Sequence, residues 1–199
     1  MKYYVELTLL PDPEMTTYYL WERVYQQVHL AFVENKEANN RVKMGVAFPD
    51  YHLEKPSLGR RLRVFAETHE QLSRLDLSQW LKRLADYVHC KAIKEVPSGV
   101  EGYGCYKRIY EKGTNENLAR RRAKKLSISY EAALNYFEND KERKRSSKRV
   151  VNLPFITMKS LSSGEKYPLF IGFVKTDGLI DGGGFNTYGL SANSSVPLF

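Results

Sequence analysis

The chain has 199 residues, 42% of them hydrophobic and 27% charged, with a formal net charge of +8 at pH 7. That length and apolar content suit one or two small domains with a sizeable core. There is no run of about 18 apolar residues and no charged-then-apolar leader, so neither membrane insertion nor export is expected and a cytoplasmic protein is.

Residues 3–10 alternate with Tyr3, Val5, Leu7 and Leu9 on one face, the period of a strand, and Pro11 and Pro13 stop it. Residues 16–32 carry Leu20, Val24, Val28 and Ala31 at helical spacing, an apolar stripe about four turns long. Trp21, Tyr25 and His29 form a second stripe beside it, which puts His29 at the edge of the core. After a polar loop over 34–40, Val42, Met44, Val46 and Phe48 alternate as a second strand, and residues 61–65 make a short third. Thr68 with Gln71 is a capping box opening a helix whose core face is Leu72, Leu77, Trp80, Leu81, Leu84 and Val88. Residues 92–96 then read as a fourth strand, closed by Pro97-Ser98-Gly99. The order β-α-β-β-α-β predicts an α+β fold whose first domain, over 1–97, is ferredoxin-like or RRM-like: a four-stranded sheet covered by two helices. Such a fold hosts many functions and does not choose among them.

Residues 98–199 form the second predicted domain. Residues 99–113 contain four glycines among aromatic and basic side chains and read as a loop near a ligand. The stretch 114–125, Thr-Asn-Glu-Asn-Leu-Ala-Arg-Arg-Arg-Ala-Lys-Lys, reads as a helix over about 115–125 with Thr114 as N-cap. Glu116 in its first turn and Lys124 and Lys125 in its last complement the helix dipole. Arg120, Arg121, Arg122, Lys124 and Lys125 crowd five positive charges into two turns. A solvated charged helix is one account of this; a polyanion that relieves the repulsion is the other.

The charge map favours the polyanion. From residue 101 to 150 there are 14 Lys and Arg against 7 Asp and Glu, so one quarter of the chain holds nearly the whole excess. A concentrated positive field attracts phosphate backbones through counterion release. The helix lacks a Trp/Phe/Leu face to bury in lipid, so nucleic acid is expected and a membrane is not. Ser127 or Ser129 caps a further helix to about Phe137, and a charged connector covers 139–149. Residues 150–159 and 167–174 read as strands around Ser162-Ser163-Gly164, followed by Asp181-Gly182-Gly183-Gly184-Phe185, whose glycines allow close backbone approach or positive φ. Cys90 and Cys105 lie in no metal-ligand spacing, and His29, His52, His69 and His89 are scattered; no metal, cofactor or structural disulfide is expected.

Several segments in order carry a family resemblance. They are Leu10-Pro11-Asp12-Pro13-Glu14, His29 late in the first helix, Gly45-Val46-Ala47-Phe48-Pro49 and Leu58-Gly59-Arg60-Arg61-Leu62-Arg63. They continue with the arginine-rich helix, Leu153-Pro154-Phe155-Ile156-Thr157, Ser160-Leu161-Ser162-Ser163-Gly164 and Gly183-Gly184-Phe185-Asn186-Thr187-Tyr188-Gly189-Leu190-Ser191. Together they resemble the CRISPR precursor-RNA endoribonuclease of type I-F systems, the hairpin-cleaving subunit of the repeat-associated protein superfamily. The resemblance implies metal-independent cleavage of a CRISPR repeat transcript at the base of a hairpin. The 2′-hydroxyl attacks the adjacent phosphate, giving a 2′,3′-cyclic phosphate and a 5′-hydroxyl. It also implies that the protein keeps its product as a subunit of the interference complex, beside that complex's other subunits.

The same resemblance assigns residues. His29 matches the catalytic histidine, and an imidazole suits proton transfer near neutral pH, as base, acid or both. Ser160 matches the serine that orients the nucleophilic ribose, Ser162 is the neighbouring hydroxyl, and Tyr188 matches a position close to the active site. Without the resemblance these would read as a helical surface histidine, a hairpin turn and a core aromatic. Tyr167 falls where the family stacks an aromatic on a base at the hairpin foot, a buried sheet aromatic being the alternative. Arg108 matches the arginine that reads a guanine with its forked guanidinium. Tyr110 stands where a glutamine commonly reads an adenine, so the adjacent base pair must be read differently. Arg120, Arg121, Lys124 and Lys125 match cations along the hairpin groove, with phosphate contact as their assignment. The rival from another class is a non-catalytic hairpin-binding subunit, and a third reading is an RRM-type single-strand binder.

Overall fold

A computed structural model of the protein describes residues 1–110, 115–139, 152–191 and 193–199. The expected Thr114 cap and the charged connector from residue 140 onward lie outside the described residues. The class is α+β. The first half runs β1 (Tyr3–Leu9), α1 (Thr17–Glu34), β2 (Arg41–Val42), β3 (Gly45–Ala47), β4 (Arg61–Ala66), α2 (His69–Leu75), α3 (Leu77–Trp80), β5 (Val88–Cys90) and β6 (Lys94–Glu95). The second runs β7 (Gly102–Ile109), α4 (Asn115–Leu126), α5 (Tyr130–Glu138), β8 (Phe155–Lys159), β9 (Lys166–Thr176), β10 (Phe185–Asn186) and β11 (Val196–Leu198).

One sheet has the order β3-β4-β1-β5, with β6 also pairing with β1. Its pairings are antiparallel, Val5 standing opposite Val64 and Leu7 opposite Leu62. Alternation along β1 sends Val5, Leu7 and Leu9 into the core. Its other face carries Glu6, buried between Arg63 Nε at 2.7 Å and Lys91 Nζ at 2.6 Å. Burial alone would raise the Glu6 pKa; the two cations outweigh it and hold the carboxyl below its ordinary range. A second sheet has the order β11-β7-β9-β8, and β10 pairs with β2.

α1 starts where Thr16 accepts from the Tyr19 N–H at 3.2 Å, and it buries Leu20, Trp21, Val24, Tyr25, Val28, Ala31 and Phe32. Burial of each of Leu20, Val24, Val28 and Phe32 contributes roughly 1.5–3 kcal/mol relative to exposure. Both expected stripes therefore face the core, and His29, one turn beyond Tyr25, is half-buried.

The second expected helix is broken. The capping box of Thr68 and Gln71 forms, but Asp76 adopts φ 41° and ψ 62°, ending α2 and capping α3 with its own side chain. Val88, expected on that helix, lies on β5, and of the strand expected over 92–96 only Lys94–Glu95 forms, as β6. The loop expected over 99–113 is largely strand β7, held between β11 and β9. Two neighbours satisfy its backbone despite the glycines, and a Cβ at Gly104 would come within 2.4 Å of the Phe173 ring.

Met1–Arg108 with Pro154–Phe199 form one compact unit and Ile109–Leu153 a second. The boundary read at residues 97–98 does not coincide with a break in packing, because the C-terminal strands share the first hundred residues' core. Ile156, Met158, Leu169, Ile171, Leu190 and Val196 belong to the same buried cluster as Leu7, Val24 and Phe65. Within the second unit, Ser129 caps α5 by accepting from the Ala132 N–H at 3.2 Å, and Ala119 and Ala133 are buried.

Candidate functional site

The stripe Trp21, Tyr25, His29 recurs every fourth residue of α1, so all three point the same way. Each spends its polar atom on a backbone carbonyl. Trp21 Nε1 donates to Gly59 O at 2.8 Å and the Tyr25 hydroxyl to Tyr188 O at 2.9 Å. His29 Nδ1 lies 2.7 Å from Thr187 O. A carbonyl only accepts, so Nδ1 carries the hydrogen, and in the neutral ring Nε2 is left with its lone pair.

Thr187 and Tyr188 are the central residues of a turn closed by the Gly189 N–H donating to Asn186 O at 2.8 Å. Asn186 Oδ1 also accepts from the N–H groups of Tyr188 at 2.9 Å and Leu190 at 3.2 Å. Gly189 has φ +68°, and a Cβ there would come within 2.6 Å of Val46 and 2.8 Å of Phe32. Glycine thus lets the turn press against the core, where Val46 N–H donates to Gly189 O at 3.0 Å. The turn presents both central carbonyls to α1 and lays the Tyr188 ring flat on His29, centroids 4.2 Å apart and planes 6° from parallel.

β9 and β7 complete the cluster. The Tyr167 and Tyr188 hydroxyls are 2.6 Å apart, and Arg108 Cζ stands 5.0 Å from the Tyr188 centroid and 5.6 Å from that of Tyr167. Burial lowers the His29 pKa, the Thr187 bond opposes that, and the Arg108 charge lowers it further. The Tyr167 hydroxyl is pushed up by burial and by its bond to Tyr188, so it stays protonated. The result is a neutral imidazole, fixed in one tautomer, beside a guanidinium. Such a site can take a proton at Nε2 and attract an anion.

Ser160 follows the end of β8. Its Oγ is 3.1 Å from Ser162 Oγ and accepts from the Ser163 N–H at 3.3 Å. The two serines lie in the β8–β9 connection rather than on a strand, yet their side chains meet. They are tied to α1 one residue earlier, where Lys159 N–H donates to Gln26 Oε1 at 3.1 Å.

Of the residues singled out from sequence, His29, Tyr188, Tyr167 and Arg108 thus come together, and Ser160 and Ser162 form a pair of their own. Tyr110 belongs to the second unit and is 68% exposed. Arg120, Arg121, Lys124 and Lys125 are exposed on α4, whereas Arg122 places its guanidinium 3.8 Å from the Tyr136 centroid on α5. Tyr25, Gln26, Asn186 and the Thr187 carbonyl were not assigned roles from sequence; only Tyr25, four residues before His29, left a signal there. Among the described residues no group of three or more His, Cys, Asp or Glu side chains is placed to hold a metal ion. None of the described helices is long and apolar enough to cross a membrane.

Comparison with known proteins gives this geometry a family. The family described as "CRISPR-associated protein (Cas_Csy4)" matches residues 4–199. Two proteins named "CRISPR-associated endonuclease Cas6/Csy4" are each 32% identical to the chain. One is from Escherichia coli (strain UTI89 / UPEC), aligned over 199 residues, the other from Pseudomonas aeruginosa (strain UCBPP-PA14), aligned over 202, with 100% of both chains covered in each case. A solved structure titled "CRISPR associated protein Cas6" aligns with 100% of this chain and 99% of its own at 12% identity and a TM-score of 0.29, too low a similarity to bear on the fold. A match over nearly the whole length, at that identity to full-length relatives, shows that the chain belongs to the Cas6/Csy4 family of CRISPR-associated endonucleases.

Proposed function

We propose that the protein cleaves a CRISPR repeat transcript at the base of a hairpin, without a metal ion, with His29 as the proton-transfer residue. Family membership makes it an endoribonuclease of CRISPR RNA processing; the route is the proposal. The 2′ oxygen attacks the adjacent phosphorus and its proton passes to His29 Nε2. The bond from phosphorus to the 5′ oxygen breaks and that oxygen takes up a proton. The products are a 2′,3′-cyclic phosphate and a 5′-hydroxyl.

One observation carries this reading: His29 Nδ1 is held at 2.7 Å by a carbonyl while its ring lies flat against Tyr188. An imidazole so fixed is a base before substrate arrives, and preorganisation of this kind lowers the barrier without reorganisation at the moment of reaction. Arg108, beside that stack, supplies positive charge for the phosphate or a guanine edge. Ser160 orients the ribose, with Ser162 as its hydrogen-bonded neighbour. Tyr167 offers a ring face at the hairpin foot, Tyr110 is assigned to RNA contact as an exposed aromatic, and Arg120, Arg121, Lys124 and Lys125 contact phosphates.

The sheet order β3-β4-β1-β5 with α1 and α2 supports reading the first 97 residues as ferredoxin-like, with hairpin binding assigned to 98–199. Retention of the product hairpin, assembly with other subunits of a type I-F interference complex and a cytoplasmic location complete the proposal.

The test is cleavage of end-labelled repeat RNA by wild type, with and without EDTA, and by His29→Ala. Wild type should yield cyclic-phosphate and 5′-hydroxyl ends at equal rates with or without chelator. His29→Ala should be slower by roughly 10²- to 10⁴-fold at nearly unchanged hairpin affinity. Loss of activity on chelation, or a fully active His29→Ala, overturns the mechanism.

A further inference from the structure

Tyr18, Glu22 and Gln26 recur every fourth residue of α1 and line one side of the helix. Each meets the β8–β9 hairpin. The Tyr18 hydroxyl bonds Thr157 Oγ1, Lys166 Nζ donates to Glu22 Oε1 at 2.6 Å, and Lys159 N–H donates to Gln26 Oε1 at 3.1 Å. Lys159 and Lys166 are paired across the hairpin, so the last two ties grip its two strands at the same level. The Glu22–Lys166 pair is exposed on the lysine side, where such pairs hold little. Gln26 sits closest to the chemistry: it lies three residues before His29 on the helix, and the N–H it holds belongs to the residue just before Ser160.

The orientation of the Gln26 amide is set by its partner. Lys159 N–H is a donor, so the oxygen faces it and Nε2 points the other way. Nε2 is enclosed and has no hydrogen-bond partner among the described residues. An unpaired buried donor is costly. Shape alone would be met by methionine, which has the same length and no donor to strand, so it is the carbonyl oxygen that gives the residue its use.

We propose that Gln26 is a positioning residue: by clamping the backbone immediately before Ser160 to α1, it sets the separation of Ser160 from His29. This rests on the roles given to His29 and Ser160 above. The tie belongs to the protein before RNA binds, and Gln26 acts through Ser160.

The experiment is a double-mutant cycle in single-turnover cleavage of the labelled hairpin, with melting temperature and hairpin affinity measured alongside. Gln26→Met should slow cleavage by about 10- to 100-fold, the penalty of a small misplacement, with affinity within about twofold of wild type. Gln26→Glu keeps an oxygen facing the Lys159 N–H and should stay within about threefold of wild type. In a Ser160→Ala background, adding Gln26→Met should cost less than about twofold, because the hydroxyl it aligns is gone. If the methionine variant does not fold, Gln26→Ala runs the same cycle. Equal losses in both backgrounds, or normal cleavage by Gln26→Met, overturn the proposal while leaving the Ser160 role intact. A Ser160→Ala protein as active as wild type overturns the Ser160 role and this proposal with it.

Discussion

Replacing Tyr25 by phenylalanine removes one oxygen and leaves the ring that packs edge-on to Trp21 and beside Phe48. The lost oxygen is the donor to Tyr188 O at 2.9 Å, and the ring around it is fully buried. A carbonyl left without that donor in a partly enclosed turn costs about 1–2 kcal/mol. For a chain of this size a loss of that order lowers the melting temperature by roughly 2–8 °C. The turn keeps its other ties: Thr187 O to His29, Gly189 O to Val46 N–H, and both bonds to Asn186 Oδ1. Cleavage at 25 °C should therefore fall by less than about tenfold, since tenfold corresponds to about 1.4 kcal/mol placed wholly on the transition state. Thermal melting and single-turnover cleavage of one repeat hairpin read the two effects separately. A melting temperature unchanged within about 1 °C would show that the bond contributes nothing to the fold. A hundredfold loss of cleavage at unchanged melting would refute a purely structural role and mean that the hydroxyl takes part in the chemistry.

Two further outcomes follow from charge. Burial and then the Arg108 cation set the His29 pKa below its ordinary value of about 6.5, against the Thr187 bond. The acid limb of kcat/KM should thus have its midpoint below that value, with activity lost as pH falls and Nε2 takes up a proton; Arg108→Met should move the midpoint upward, whatever happens to the plateau, and an unmoved midpoint would refute the coupling. On α4, replacing Arg120 and Arg121 by alanine should reduce the slope of log K against log salt by roughly 0.7–0.9 per lost phosphate contact. Arg122→Ala should leave that slope alone, because its guanidinium lies on the Tyr136 ring; identical slopes for all variants would place the RNA track elsewhere.

Much of the fold could be read along the chain because its signals lie between close neighbours. Alternation in β1, the paired stripes of α1 and the Thr68–Gln71 capping box each involve residues within one or two turns or pleats, so sequence alone determined those elements. It also determined that α4 carries an exposed cationic surface, since the run of charges leaves few apolar side chains to bury. It did not show the left-handed Asp76 that splits the second helix, nor that β7 finds two strand partners despite its glycines. The candidate site divides the same way. His29 at the edge of the core was legible from the spacing of Trp21 and Tyr25 on one helix. The groups that hold and surround the His29 imidazole were not: the Thr187 carbonyl lies 158 residues away and carries no side-chain signal at all. The Tyr188 stack, the Arg108 charge and the Gln26 tie likewise join separate strands and turns to α1. Local periodicity cannot encode such meetings, because they exist only once the hydrophobic core has brought distant backbone together.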